Sequence, residues 1–282
     1  MLACSFAGCL VGRLIPLYAL QQEQIVPGGP VGIATTSHAR PYFVRPDRAV
    51  LCAELHRTHP LSCSMRQTPP LPLDWNVSHD GRLVVGAWCA PLEGLRPGTF
   101  AVGVDVMRLG LPDGIPDYDT LVGSVGDLVR LVVWLRGGTH PLTLLAWPTQ
   151  LAPSEHRALA ALPDDAARTR HLIRLWTYKE AVAKLLGLGA AIDFSSLAFD
   201  LEPDRPAAGP LLTLTSTTTE LPAGKARDVA LWEGRFGPES DTYAVVVARW
   251  RRSAGAADEV YVHQLPVEDV VAGARALVRA YT

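Results

Sequence analysis

Apolar residues along this chain gather into two kinds of run: short β-branched stretches bounded by glycine or proline, and longer stretches at helical spacing. "RLVVGAWCA" and "TFAVGVDVM" are of the first kind and predict two buried strands lying side by side near the middle of the chain. "SSLAFDL", "LLTLTSTT", "VALWEGRF" and "TYAVVVARW" add further strands in the last third, ahead of an amphipathic helix from about Val267 to Tyr281. Helical spacing appears in "RPDRAVLCAELHR", through Ala49, Cys52 and Leu55, with Asp47 as an early cap. "DTLVGSVGDLVRLVVWLRGG" reads as a helix weakened by Gly123 and Gly126 and closed by its double glycine. The strongest helical signal begins at Ser154, which caps "EHRALAAL"; Pro163 breaks that helix, and a second runs from about Asp165 to Leu186 until "GLG" ends it.

"QIVPGGPVG" and "RQTPPLPLD" are loops, and "LTLLAW" is an apolar run too short to assign. The opening "MLACSFAGCLVGRLIPLYAL" is apolar, but Arg13 lies inside the run, against both a signal peptide and a membrane span. It is expected to be a buried N-terminal strand. Helices and strands mix without regular βαβ alternation, so the expected fold class is α+β.

Composition narrows the picture. The 282 residues, 48% of them hydrophobic, suffice for one large domain or two modest lobes. A net charge of -2 and a pI near 6.4 argue against a global nucleic-acid footprint, so any cationic patch is local. The five cysteines, Cys4, Cys9, Cys52, Cys63 and Cys89, form no CxxC pair and are odd in number, which suits reduced thiols in a cytoplasmic setting.

Three places carry candidate chemistry. On the long helix, Trp176, Glu180 and Lys184 follow at four-residue steps and share a face, with Lys179 about a third of a turn away. Taken alone, Glu180 and Lys184 are an ordinary surface ion pair. Asp105 sits within the apolar strand "VGVDVM", where an ionised carboxylate needs a compensating partner unless it marks the strand's exit. In "DWNVSHDG", Asn76, Ser78, His79 and Asp80 make a dense polar cluster just before a hydrophobic strand, open either to an anion or to plain turn chemistry.

Taken in order, "WNVSHDG", "VGVDV" and "WTYKEAVAK", with "PSEHRAL" ahead of the last, resemble the signature motifs of the phosphopantetheinyl transferase superfamily. The resemblance is to its larger monomeric type, which activates synthetases and fatty-acid carriers, and "GVDVM" is similar to the eukaryotic form. It implies two similar α+β lobes, residues 1–102 on the coenzyme A nucleotide side and 103–282 carrying the metal and the catalytic helix, with the active site in the cleft between them. The implied activity is Mg²⁺-dependent (or Mn²⁺-dependent) transfer of 4′-phosphopantetheine from coenzyme A to a serine of an apo carrier protein. By the same resemblance Asp105 and Glu180 hold the metal, Glu180 acts as base, and Lys184, assisted by Lys179, meets the diphosphate. Ser78 and His79 correspond to a phosphate-contacting pair, and Arg45 and Arg48 to cations for the nucleotide 3′-phosphate. His171, Arg174 and Lys179 are expected to steer acidic carriers toward the site. Met107 stands where bacterial members place a third acid, and Ala53 and Glu54 replace a Gly–Arg pair. The Ala53–Glu54 replacement, with a Gly-Lys-Pro element missing ahead of the His motif, motivates the alternative of a non-catalytic coenzyme A-binding or carrier-docking protein.

Overall fold

The computed structural model describes residues 14–19, 32–35, 41–44, 73–89, 101–112, 114–122, 150–189, 192–202, 214–216, 228–238, 241–250 and 262–279. Expectations for Arg45, Arg48, the helix in "RPDRAVLCAELHR", "LTLLAW" and four of the five cysteines lie outside those residues; Cys89 is half-buried and forms no disulfide. The fold mixes helices with antiparallel strands. β1 (Gly32–Thr35) pairs with β2 (Pro41–Val44), β3 (Asp74–Asp80) with β4 (Leu83–Cys89), and β6 (Leu197–Phe199) with β7 (Leu214–Ser216). The central sheet has the order β5 (Val102–Arg108), β9 (Tyr243–Trp250), β8 (Val229–Phe236). Helices α1 (Pro153–Ala160), α2 (Asp165–Leu186) and α3 (Val267–Arg279) complete the main elements.

Two faces of the central sheet are covered differently. On one, Val104 and Val106 of β5 pack with Tyr243 and Val245, and Leu83, Val85 and Ala87 of β4 close over them. On the other lies α2, whose Leu175, Tyr178, Ala181, Val182 and Leu185 meet Leu231, Val246 and Ala248. Period-two alternation along β5 therefore turns Gly103 and Asp105 toward α2 while the valines face the hairpin.

Several expectations change. β4 and β5 are not paired neighbours: a two-residue turn with Gly81 at φ +51° joins β4 locally to β3, and β5 pairs with β9. The polar "DWNVSHD" is itself a strand, because its alternate side chains find partners on β5. Residues 14–19 are helical rather than a strand, and their Ile15 fills the space that Gly86 leaves on β4, where an added Cβ would come within 2.3 Å of Ile15 Cγ2. Ser154 is not the cap of α1; Ala152 is, with Pro153 at the first helical position and the Ala152 amide donating to Glu155 Oε2 at 2.8 Å. The bounds of α2 follow the sequence reading, with Asp164 accepting from the Ala167 amide and Gly187 closing the helix at φ +71°. Among the described residues no helix is long and apolar enough to cross a membrane.

Candidate active site

Gly103 sets how closely α2 lies on β5. A Cβ there would fall 2.2 Å from the Ala181 carbonyl oxygen and 2.4 Å from the Leu185 amide, so only a bare backbone admits the helix at this depth. Ala248, fully buried, faces Gly103 across the sheet and keeps the seat small. With Ala181 and Leu185 seated over Gly103, Glu180 and Lys184 hang over the next residue on that face, Asp105.

Lys184 Nζ lies 2.6 Å from Asp105 Oδ1 and donates to Ser78 Oγ at 2.9 Å; Ser78 Oγ in turn donates to the same Oδ1 at 2.7 Å. Asp105 is 6% exposed, and the Lys184 side chain keeps a quarter of its surface open to solvent. Glu180 is half-buried, and its carboxyl group makes no hydrogen bond to the described residues. Its carboxyl is pushed up to about 7, first by burial and then by the negative charge of Asp105, with Lys184 acting in the opposite direction. A carboxylate poised near neutrality beside a cation is suited to accept a proton at physiological pH.

The donor set also fits a hard divalent ion. Two carboxylates repel one another here, as the effect of Asp105 on Glu180 registers, and an oxygen-seeking cation is what such a pair accommodates. Among the described residues no cluster of three or more His, Cys, Asp or Glu side chains is placed to hold a metal, and Asp105 and Glu180 are the two carboxylates that would face such an ion.

Other expected participants stand elsewhere. Alternation along β3 buries Ser78 and leaves His79 exposed, so the two side chains turn to opposite sides of the strand. Lys179 is not a diphosphate contact. It is wholly buried, 2.8 Å from Glu155 Oε2, and donates to the carbonyls of Phe194 and Leu197; burial lowers its pKa against the pull of Glu155. Arg174, 2% exposed, makes a two-pronged bond to Glu233 at 2.8 Å on each arm, and Tyr178 Oη donates to the same carboxylate at 3.0 Å. With His171 also buried, the three cations expected to steer a partner are interior groups.

Gly103, Glu155 and Glu233 escaped the sequence reading. A glycine inside a β-branched run signals close backbone approach, and that sign was present for Gly103. Nothing local distinguishes Glu155 or Glu233 from surface acids, since their partners Lys179 and Arg174 lie 24 and 59 residues away.

Residues 144–229 match the family described as the 4′-phosphopantetheinyl transferase superfamily. Over 193 residues the chain is 28% identical to the 4′-phosphopantetheinyl transferase pptA of Paxillus involutus, an alignment covering 68% of this chain and 57% of that protein. The chain thus spans little more than half the length of that curated relative. Among solved structures, an apo-ACPS of Chronobacterium ammoiniagenes is 21% identical, covering 54% of this chain and 96% of that one at a TM-score of 0.30. A holo-[acyl-carrier-protein] synthase of Helicobacter pylori in complex with coenzyme A is 13% identical, covering 53% and 98% at 0.29. Superpositions this partial add nothing to the sequence matches. Residues 144–229, the stretch that holds the helix bearing Glu180 and Lys184, are thus similar to the 4′-phosphopantetheinyl transferase superfamily.

Proposed function

We propose that this chain is a transferase that moves the 4′-phosphopantetheine group of coenzyme A to a serine hydroxyl of an apo carrier protein. The observation that carries this reading is the convergence of Asp105, Glu180, Lys184 and Ser78 from β5, α2 and β3, with Glu180 poised near pH 7. Glu180 takes the proton as the serine oxygen bonds to the phosphorus nearer the pantetheine; the phosphorus–oxygen bond to the nucleotide side breaks, and adenosine 3′,5′-bisphosphate leaves with the electron pair. Lys184, anchored by Asp105 and Ser78, offers its ammonium to the diphosphate oxygens as a point charge. Mg²⁺, held by Asp105 and Glu180, supplies charge neutralisation for the reacting diphosphate when bound. The same reading includes a two-lobed monomer working in the cytoplasm, with Arg45 and Arg48 at the nucleotide end.

The test is labelling of an apo carrier protein by a fluorescent coenzyme A analogue, with and without Mg²⁺. Metal-dependent labelling of the carrier serine is the expected result. Calorimetric binding of coenzyme A with no labelling of acyl, peptidyl or aminoadipate-reductase-type carriers would replace the reading with a binding or docking protein.

A further inference from the structure

The β3 side chains that point toward β5 form a series. Asp74 Oδ2 accepts from the amides of Ala101 and Val102, Asn76 Oδ1 from Val104 at 2.9 Å, and Asp80 Oδ2 from Arg108 at 2.7 Å. The rungs to Val102, Val104 and Arg108 each span 28 residues, and the same step from Ser78 falls on Val106. Ser78 breaks the series: its hydroxyl turns to Asp105 Oδ1 and receives Lys184 Nζ. β3 and β5 belong to different sheets, so no backbone ladder sets their register. The side-chain oxygens of Asp74, Asn76 and Asp80 do that work on the edge of β5 that faces away from β9. A slip of one residue would send the whole set, Ser78 included, to the wrong face.

We infer that Asn76 and Asp80 are positioning residues: by locking β3 in register on β5 from either side of Ser78, they hold its hydroxyl between Asp105 and Lys184. The geometry stands by itself, and what it serves rests on the transferase reading. Asn76 is buried, so its amide oxygen meets no solvent competitor, whereas Asp80 is half-buried at the hairpin turn. Aspartate should replace Asn76, because Asp74 and Asp80 already serve the same purpose with carboxylate oxygens.

The experiment is a set of cycles with Ser78→Ala. Asn76→Leu removes the central rung, Asp80→Ala a peripheral one that the fold tolerates if the first does not, and Asn76→Asp restores the acceptor. Per folded molecule, Asn76→Leu is expected to lower kcat about 10-fold or more and Asp80→Ala several-fold, with KM for coenzyme A within about 2-fold, as for a small misplacement of reacting groups. Asn76→Asp should return kcat to within about 3-fold of the parent, and in the Ser78→Ala background both losses should shrink to under about 2-fold, since the rungs act through that hydroxyl. Equal losses in both backgrounds, or an unchanged kcat, overturn the inference. Should the parent transfer nothing, the function falls, but melting temperatures of the same cycles still decide the positioning: a double variant that loses less than the two singles together supports it, and strict additivity overturns it.

Discussion

Glu180 is where pH should be felt. Its carboxyl moves from an ordinary 4.5 up to about 7, so the proton-accepting form appears as pH rises through 7, and transfer activity should climb over that interval and be largely lost by pH 5.5. Glu180→Gln should lower kcat on the order of 100-fold or more while removing the pH step. Stability should respond in the opposite sense. Between 4.5 and 7 the folded state holds a proton that the unfolded chain has released, so this group costs stability as pH rises across that window. Glu180→Gln should therefore be more stable than the parent at pH 8, by up to about 3 kcal/mol, with little difference near pH 4.5; denaturant melts at the two pH values check it. The type and spacing of Glu180, Lys184 and Asp105 could be read one residue at a time, as could the need of a buried aspartate for a partner. Which cation answers Asp105 could not be, because Lys179 and Lys184 differ only in the side of the helix that tertiary packing covers.

Elements meet here through small residues and long-range ion pairs. Gly103→Ala puts a methyl group against the backbone of α2, which must lift, and the expected loss is at least about 1–3 kcal/mol in chemical denaturation, accompanied by a fall in transfer as Lys184 leaves Asp105. Glu155 ties α1 to α2 through Lys179 and also accepts from the Phe199 amide on β6. Glu155→Ala leaves a buried ammonium facing a void and should cost about 3–5 kcal/mol, whereas changing Glu155 and Lys179 together to leucine and methionine should recover much of it. At this scale helix termini were legible because proline, aspartate and glycine punctuate them locally: Asp164 and Gly187 bound α2 where the pattern put them. Strand pairing was not, since β5 finds β9 across more than 130 residues and no local feature names that partner.

For the whole molecule, β5 is the joint. Its one edge pairs with β9 from the far end of the chain, its other edge receives the side chains of β3, and α2 lies on its face. A boundary after residue 102 runs inside this strand. Fragments 1–102 and 103–282 expressed separately should each fail to give a cooperative melt, and a well-folded 103–282 alone would count against this picture. The amino-acid sequence by itself determined the limits of α2, the strand-forming stretches of β4, β5, β8 and β9 and the residue types of the site, because periodicity, caps and buried charge are written over a few neighbouring positions. Only the tertiary structure decided that Lys184 and not Lys179 meets Asp105, that Arg174 and His171 are interior, and that Ser78 rather than His79 turns inward. Those outcomes depend on which face of each element is desolvated, and a face is chosen by partners distant in the chain.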